Sequence, residues 1–212
     1  MPASGNAGRY HHGRYHHGRY HHGDLRAALV ETAIVLIAER GVRGFSLAEA
    51  SRRLGVSAAA PYRHFADRDE LLAAVAVRSL EVFAAMVAEQ TQDSQDPRQR
   101  LALMTKAYVR FAAEQRPLFD TLYSAGLDKA RYPELQRAWE PVDAFLGVVD
   151  EICGGDAAAA DALAAALEAT AHGHAMLLLD SEPAVDADAV AAAANRAAAA
   201  TLAIISGRAA LT

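Results

Sequence analysis

Apolar residues recur at spacings of three and four along almost the whole chain, and that period predicts an all-α protein. In DLRAALVETAIVLIAERG, Leu25, Leu29, Ala33, Leu36 and Ile37 mark one face of a first helix, and Gly41 supplies a stop after Arg40. In FSLAEASRRLG, Ser46 and Glu49 stand at capping-box spacing, so the serine oxygen and the glutamate carboxylate can each satisfy an orphan amide at the other's position. That predicts a short second helix from Leu47 to Leu54, closed by Gly55. A third, brief helix starts with a capping Ser57, carries Pro61 within or just past its first turn, and ends near Phe65. A fourth begins around Asp67 and runs toward Gln90, where TQDSQDP breaks the pattern.

After the break, PRQRLALMTKAYVRFAAEQ places Leu101, Met104, Tyr108 and Phe111 on one side of a helix, and RPLFDTLYSAGL reads as a shorter one. Pro141 is expected to bend or divide PELQRAWEPVDAFLGVVDEICGG. Two alanine-rich helices, DAAAADALAAALEATAHGHAMLLLD and DADAVAAAANRAAAATLAIISG, end the chain. Alanine favours helix and is small, so both can approach neighbours closely. Val190, Ala194, Ala197, Thr201 and Ile204 form a seam, and Leu163, Leu167 and Thr170 offer a partner stripe, either within one subunit or between two.

Two short helices separated by Leu-Gly-Val-Ser, behind a longer one, have the outline of a helix-turn-helix, with Ala50 at the close crossing and Leu47, Leu54, Val56 and Phe65 as its small core. The exposed face would be Ser57, Ala58, Ala59, Ala60, Tyr62, Arg63 and His64. Such a face suits DNA: alanine methyls can meet thymine methyls, arginine can bond guanine edges, and the hydroxyls and imidazole can donate to phosphates. Charge agrees with this. The net charge is −5 overall, yet residues 1 to 78 hold eleven arginines against seven carboxylates, whereas residues 79 to 212 hold ten basic groups against nineteen acidic ones.

The stretch GFSLAEASRRLGVSAAAPYRHFADRDELLAAVA resembles the DNA-binding region of TetR-type transcriptional regulators: a Ser-started helix, a Gly-Val-Ser turn, a Tyr-x-His-Phe recognition helix and an Arg-Asp-x-Leu-Leu start to the next helix, in order. The resemblance implies that Ser46, Tyr62 and His64 contact phosphates, that Ala58, Ala59, Ala60 and Arg63 face bases, and that Arg68 takes the place of a frequent lysine at the start of the fourth helix. Phe65 would be core. It also implies that the last two long helices pair with those of a second subunit, giving a homodimer on a palindromic operator.

In the remaining body, Met104, Tyr108, Phe111, Phe119, Tyr123, Trp139, Phe145 and Met176, with His172 and His174, would make an apolar pocket with a few polar handles. The alternative is a filled core. Through the resemblance, the set becomes a site for an unidentified small apolar or amphipathic ligand. AHGHAMLLLD also resembles a His-Gly signature in one TetR subgroup, and YHHGDLR a lead-in to its first helix, with Glu168 where that subgroup often has tryptophan.

The chain opens with GRYHH three times, from Gly8, closed by Gly23. A period of five rotates successive arginines by about 140° on a helix and alternates them across a strand, so Arg9, Arg14 and Arg19 share no face in either. With a glycine in every unit the segment reads as a flexible arm, able to reach phosphates or a minor groove, or else a solvated tail. His12 with His16 and His17 with His21 have the spacing that clamps a metal on a helix, but the glycines oppose that helix and no acidic or cysteine ligand completes a site, so no metal is expected.

The expected organisation is a basic arm over 1–23, a DNA-binding unit over 24–78 and an effector-binding and dimerisation domain over 79–212. An apolar share of 52% suffices for a core. A single Cys153 excludes an intrachain disulfide framework and fits a reducing compartment. The chain has no uncharged apolar run of eighteen residues and no signal-peptide pattern, so no membrane partner and a cytoplasmic location are expected. No catalytic motif or cofactor-binding loop is present, which points away from an enzyme. The expected function is a ligand-responsive, DNA-binding repressor; the alternatives are a DNA-binding protein without an effector, or an all-helical carrier or enzyme.

Overall fold

The computed structural model describes residues 25–181 and 186–211; the GRYHH repeat lies outside them. Among the described residues the architecture is all-α, with the helices α1 Leu25–Arg40, α2 Leu47–Leu54, α3 Arg68–Thr91, α4 Pro97–Glu114, α5 Arg116–Ser124, α6 Pro133–Ala138, α7 Glu140–Cys153, α8 Ala157–Leu179 and α9 Ala187–Ser206. The helix boundaries follow local chemistry. Gly41 ends α1 at φ 73°, its amide donating back to the Ile37 carbonyl at 2.8 Å. Asp67 caps α3, its carboxylate accepting from the Glu70 amide at 2.8 Å while Glu70 accepts from the Ala66 amide at 2.5 Å. The Pro141 segment divides as expected, with Trp139 at the junction of α6 and α7.

One core joins the N-terminal helices to the body. Leu29, Leu36, Phe65, Leu71, Leu72 and Val75 are buried together with Phe111 and Phe119, which come from α4 and α5. Helix α3 belongs to both ends of this core. At 24 residues it is about 36 Å long, starting beside the α1–α2 loop and carrying Phe83 and Met86 into the body.

The stripes of the alanine-rich helices take the first of the two alternatives, packing within the subunit. Val190, Ala194, Ala197 and Thr201 are buried inside the subunit, with Val109 of α4 and Leu178 of α8 beside the first three. Thr201 and Thr105 of α4 share a buried hydroxyl hydrogen bond of 2.9 Å. Leu163 and Leu167 pack against Leu101, Val148, Val149 and Ile205, with Ile204 at the edge of that group. The stripes considered for a subunit interface therefore close the subunit's own core, because small side chains let α9 lie tightly along α4. The outer faces of the pair remain, with Leu177 at 75% exposure and Leu202 at 36%. By length and composition alone α3, α8 and α9 could cross a membrane, a consequence of their alanine and valine content; in this fold each buries one face against other helices.

Candidate nucleic-acid interface and effector site

Helix α2 follows the Ser46 cap, whose Oγ accepts from the Glu49 amide at 3.2 Å. The reciprocal half of the expected box is replaced, because the Glu49 carboxylate takes Arg52 at 2.6 Å and Arg40 at 3.1 Å. Arg52 holds that carboxyl below its ordinary range. Gly55 ends α2 at φ 69°, a left-handed conformation that a side chain would strain, and lets the chain turn directly toward Ser57. Gly44, before α2, is required for another reason: a Cβ there would collide with the Arg40 carbonyl oxygen.

The segment from Ser57 to Phe65 is not the helix the sequence implies. The Ala60 amide donates to the Ser57 carbonyl at 3.0 Å in a turn, and a single 3-10 turn follows over Pro61–Arg63. Proline explains the difference: it has no amide hydrogen to give the Ser57 carbonyl, and its ring would clash with that oxygen in an α-helix. The presentation survives the change. Pro61 and Phe65 are buried, Ala60 is half-buried, and Ser57, Ala58, Ala59, Tyr62, Arg63 and His64 are exposed, Tyr62 by 59%. Burying the Phe65 ring contributes about 2–3 kcal/mol and fixes how its neighbours face outward.

Arg68 turns toward the loop before α2. Its Nε donates to the Phe45 carbonyl at 3.2 Å, its Nη2 donates to the Val42 carbonyl, and its guanidinium lies 4.9 Å from the Phe45 ring centroid. It ties the loop before α2 to the start of α3. Arg43, absent from the expected set, sits exposed in that loop, three residues before the Ser46 cap. Its only sequence signal is a charge in a turn preceding a capped helix.

In the body, six of the ten expected pocket residues come together. Tyr108 is the hub: its ring centroid lies 5.8 Å from Phe119, 6.2 Å from Tyr123 and 6.4 Å from His172, and its hydroxyl is 2.9 Å from His172 Nδ1. Phe111 stands 6.3 Å from Phe119, and Met176 packs against the same core. Phe83 of α3, also absent from the expected set, joins at 5.9 Å from Tyr108 and 5.3 Å from Phe111. Burial pushes the Tyr108 phenol well above its ordinary range, and Tyr123 and the Glu168 carboxylate push it further. Burial likewise raises Tyr123, again with Glu168 adding to it. The cluster offers apolar ring faces with hydroxyl and imidazole handles.

Met104 and Phe145 lie elsewhere, packed around Leu101, Val148 and Leu163. Trp139 is also outside the cluster, against Ala76, Leu80 and Leu135, with Lys129 Nζ 3.4 Å from its ring centroid. Its Nε1 is buried without a hydrogen-bond partner. His174 is half-buried on α8. Two crevices open between α3, α4 and the start of α9, of about 170 and 640 Å³, both bordered by Gln90, Arg110 and Glu114. Among the described residues no group of three histidine, cysteine or carboxylate side chains is placed to hold a metal.

Residues 29–75, the α1-to-α3 unit just described, match the family model of bacterial regulatory proteins, tetR family. This N-terminal unit is that of the tetR family. A protein of unknown function from Rhodococcus sp. RHA1 is 31% identical, with 86% of this chain and 98% of that one aligned at a TM-score of 0.65. The TetR family transcriptional regulator PfmR from Thermus thermophilus is 20% identical over 84% of this chain and 96% of its own, at a TM-score of 0.56, and shares the fold. A tetR-family bacterial regulatory protein from Rhodococcus RHA1 does so too, at 18% identity, 85% and 96% coverage and a TM-score of 0.61. No curated protein matches the chain. The N-terminal unit thus matches bacterial regulatory proteins of the tetR family, and the helical chain as a whole shares the fold of that family's solved structures.

Proposed function

We propose that this chain is a tetR-family repressor, cytoplasmic, that binds a palindromic operator as a homodimer and leaves it when a small apolar or amphipathic effector binds the body. The proposed division is the arm over 1–23, DNA binding over 24–78, and effector binding and dimerisation over 79–212. One observation carries the reading: α3 is a single rigid element with the DNA-facing segment at its first turn and Phe83 in the Tyr108 cluster. A ligand entering between Tyr108, Phe119 and His172 would have to displace Phe83, and with it α3. The body also grips the first turn of that helix, through Arg131 to the Asp67 cap at 3.3 Å, and holds α1 beside it through Glu134 to Arg26 at 3.1 Å.

The His172-Gly173-His174 stretch supports membership of the His-Gly subgroup, since His172 faces the ring cluster. The exposed outer faces of α8 and α9, with Leu177, support a subunit interface there. A second reading, a regulator without an effector, is favoured by the packing of the cluster rings on one another and by the Tyr108 to His172 bond. Fluorescence anisotropy on DNA from upstream of the chain's own gene, against shuffled DNA, tests the regulator reading. Tyr62→Ala and Arg63→Ala should abolish the preference for the upstream duplex while leaving the melting temperature unchanged. Retained preference in both variants would sink this interface.

A further inference from the structure

We propose that the turn between α1 and α2 is a second DNA-contact surface, with Arg43 gripping a phosphate of the duplex beside the segment from Ser57 to His64. The inference rests on the DNA-binding reading above and adds a contact to it. It starts from a shortage of free positive charge. Between residues 25 and 78 the chain has eight arginines and no lysine. Six of the arginines stand within 4 Å of a carboxylate: Arg26 with Glu134, Arg40 and Arg52 with Glu49, Arg53 with Glu39, Arg68 with Asp69, and Arg78 with Glu31 and Glu81. Among the described residues of this unit, only Arg43 and Arg63 lack an ion pair. The two carboxylates nearest Arg43 in sequence are both taken: Glu39 accepts from Arg53 at 2.8 and 2.7 Å, and Glu49 holds Arg52 and Arg40.

The fold also holds Arg43 outward. Gly41 to Gly44 form a turn closed by the Gly44 amide, which donates to the Gly41 carbonyl at 3.0 Å. Val42 and Phe45, on either side of Arg43 and Gly44, are buried, and the carbonyls of the same two residues accept from Arg68. Arg43 is thus pinned on both flanks while its own side chain lies exposed. Such anchoring favours binding, because a cation carried on an ordered backbone loses less freedom when a phosphate meets it. The turn lies beside the rest of the interface. It leads within three residues to Ser46, and Arg68, which bonds both of its flanks, follows Arg63 by five residues at the exit of the DNA-facing segment. That segment is short of contacts of its own, since Ala58, Ala59 and Ala60 offer no side-chain hydrogen bond to a base or a phosphate. A phosphate contact, which fixes register rather than reading sequence, suits a single arginine on a loop outside the recognition segment.

The test compares the full chain with two full-length variants, Arg43→Ala and Arg43→Lys. Affinity is read by anisotropy on the upstream duplex and on a shuffled one, across a salt series, and stability by thermal melts. Arg43→Ala should make the slope of log affinity against log salt shallower by about 0.9 for each subunit bound, on both duplexes alike, with the melting temperature unchanged. Arg43→Lys should keep the parent slope, since a phosphate needs the charge rather than the planar fork. A slope unchanged in the alanine variant overturns the proposal. So does a loss confined to the upstream duplex, which would make Arg43 a base contact, and so does a melting temperature lowered in both variants, which would give the side chain a structural role in the turn. Failure of the underlying regulator reading shows separately, as equal affinity of the parent chain for upstream and shuffled duplexes.

Discussion

Arg68→Met removes the guanidinium that ties the loop before α2 to the first turn of α3, and its consequences can be worked from the contacts. The lost interactions are two charge-assisted hydrogen bonds, to the Phe45 and Val42 carbonyls, and the stacking over Phe45. Sheltered bonds of that kind contribute about 1.5–3 kcal/mol each. The side chain is 34% exposed, so water compensates in part and each bond counts for about 1–1.5 kcal/mol. With about 0.5–1 kcal/mol from the ring contact, the expected destabilisation is roughly 2–4 kcal/mol. At about 2–4 °C per kcal/mol for a chain of this size, the melting temperature should fall by roughly 5–15 °C. Arg68→Lys keeps the charge but not the two-pronged fork, and should recover only part of the loss. Thermal melts followed by circular dichroism read the stability, and DNA anisotropy against salt reads the other role. A melting temperature within about 2 °C of the parent, with a salt slope shallower by about 0.9, would refute the internal clamp and make Arg68 a phosphate contact.

Three further outcomes follow from the body. Thr105 donates to the Leu101 carbonyl at 3.1 Å, so Thr201 must be the donor in the bond between the two hydroxyls; Thr105→Val should cost about 1–3 kcal/mol by leaving Thr201 without its acceptor, and adding Thr201→Val should relieve part of that in a denaturant double-mutant cycle. Burial raises the Tyr108 phenol in the folded state above its unfolded value, so its contribution is intact below about pH 10 and is lost as pH rises further, by up to about 1.4 kcal/mol per pH unit; Tyr108→Phe should lose stability less steeply above pH 10, and parallel curves would contradict this. Leu177, 75% exposed, should be covered in the proposed homodimer, so Leu177→Glu should shift the chain toward monomer in sedimentation without loss of helicity; an unchanged dimer would remove that face from the interface.

Local chemistry made most of the fold legible. The second helix was readable from Ser46 to Gly55 because a side-chain cap and a left-handed glycine act within a few residues, independent of what packs above them. The same logic located Asp67, Gly41 and the break at Pro141. It misread the Ser57 segment, where two local signals conflict: a serine suited to starting a helix and a proline whose ring obstructs its closure. The proline prevailed, since a steric clash with the Ser57 carbonyl has no compensating partner, whereas an exposed serine can bond water instead.

Partners were harder to read than faces. A period of three and four shows which side of a helix is apolar, but not which helix will cover it; Val190, Ala194 and Ala197 marked a true seam whose partner is α4 of the same subunit. Trp139 was grouped with the other aromatics by type, yet the break at the start of α7 swings it against α3 and Lys129. Arg68 shows the same limit for charge. Its position beside a capped helix start suits phosphate equally well, and the Val42 and Phe45 carbonyls that the return of the chain brings to it cannot be read from that position. Arg43 is the converse case, a charge with no local pattern around it that the fold leaves exposed before the Ser46 cap. The cations available to DNA are therefore set by which carboxylates and carbonyls the fold brings to the others, a three-dimensional subtraction that no count of basic residues along the chain can perform.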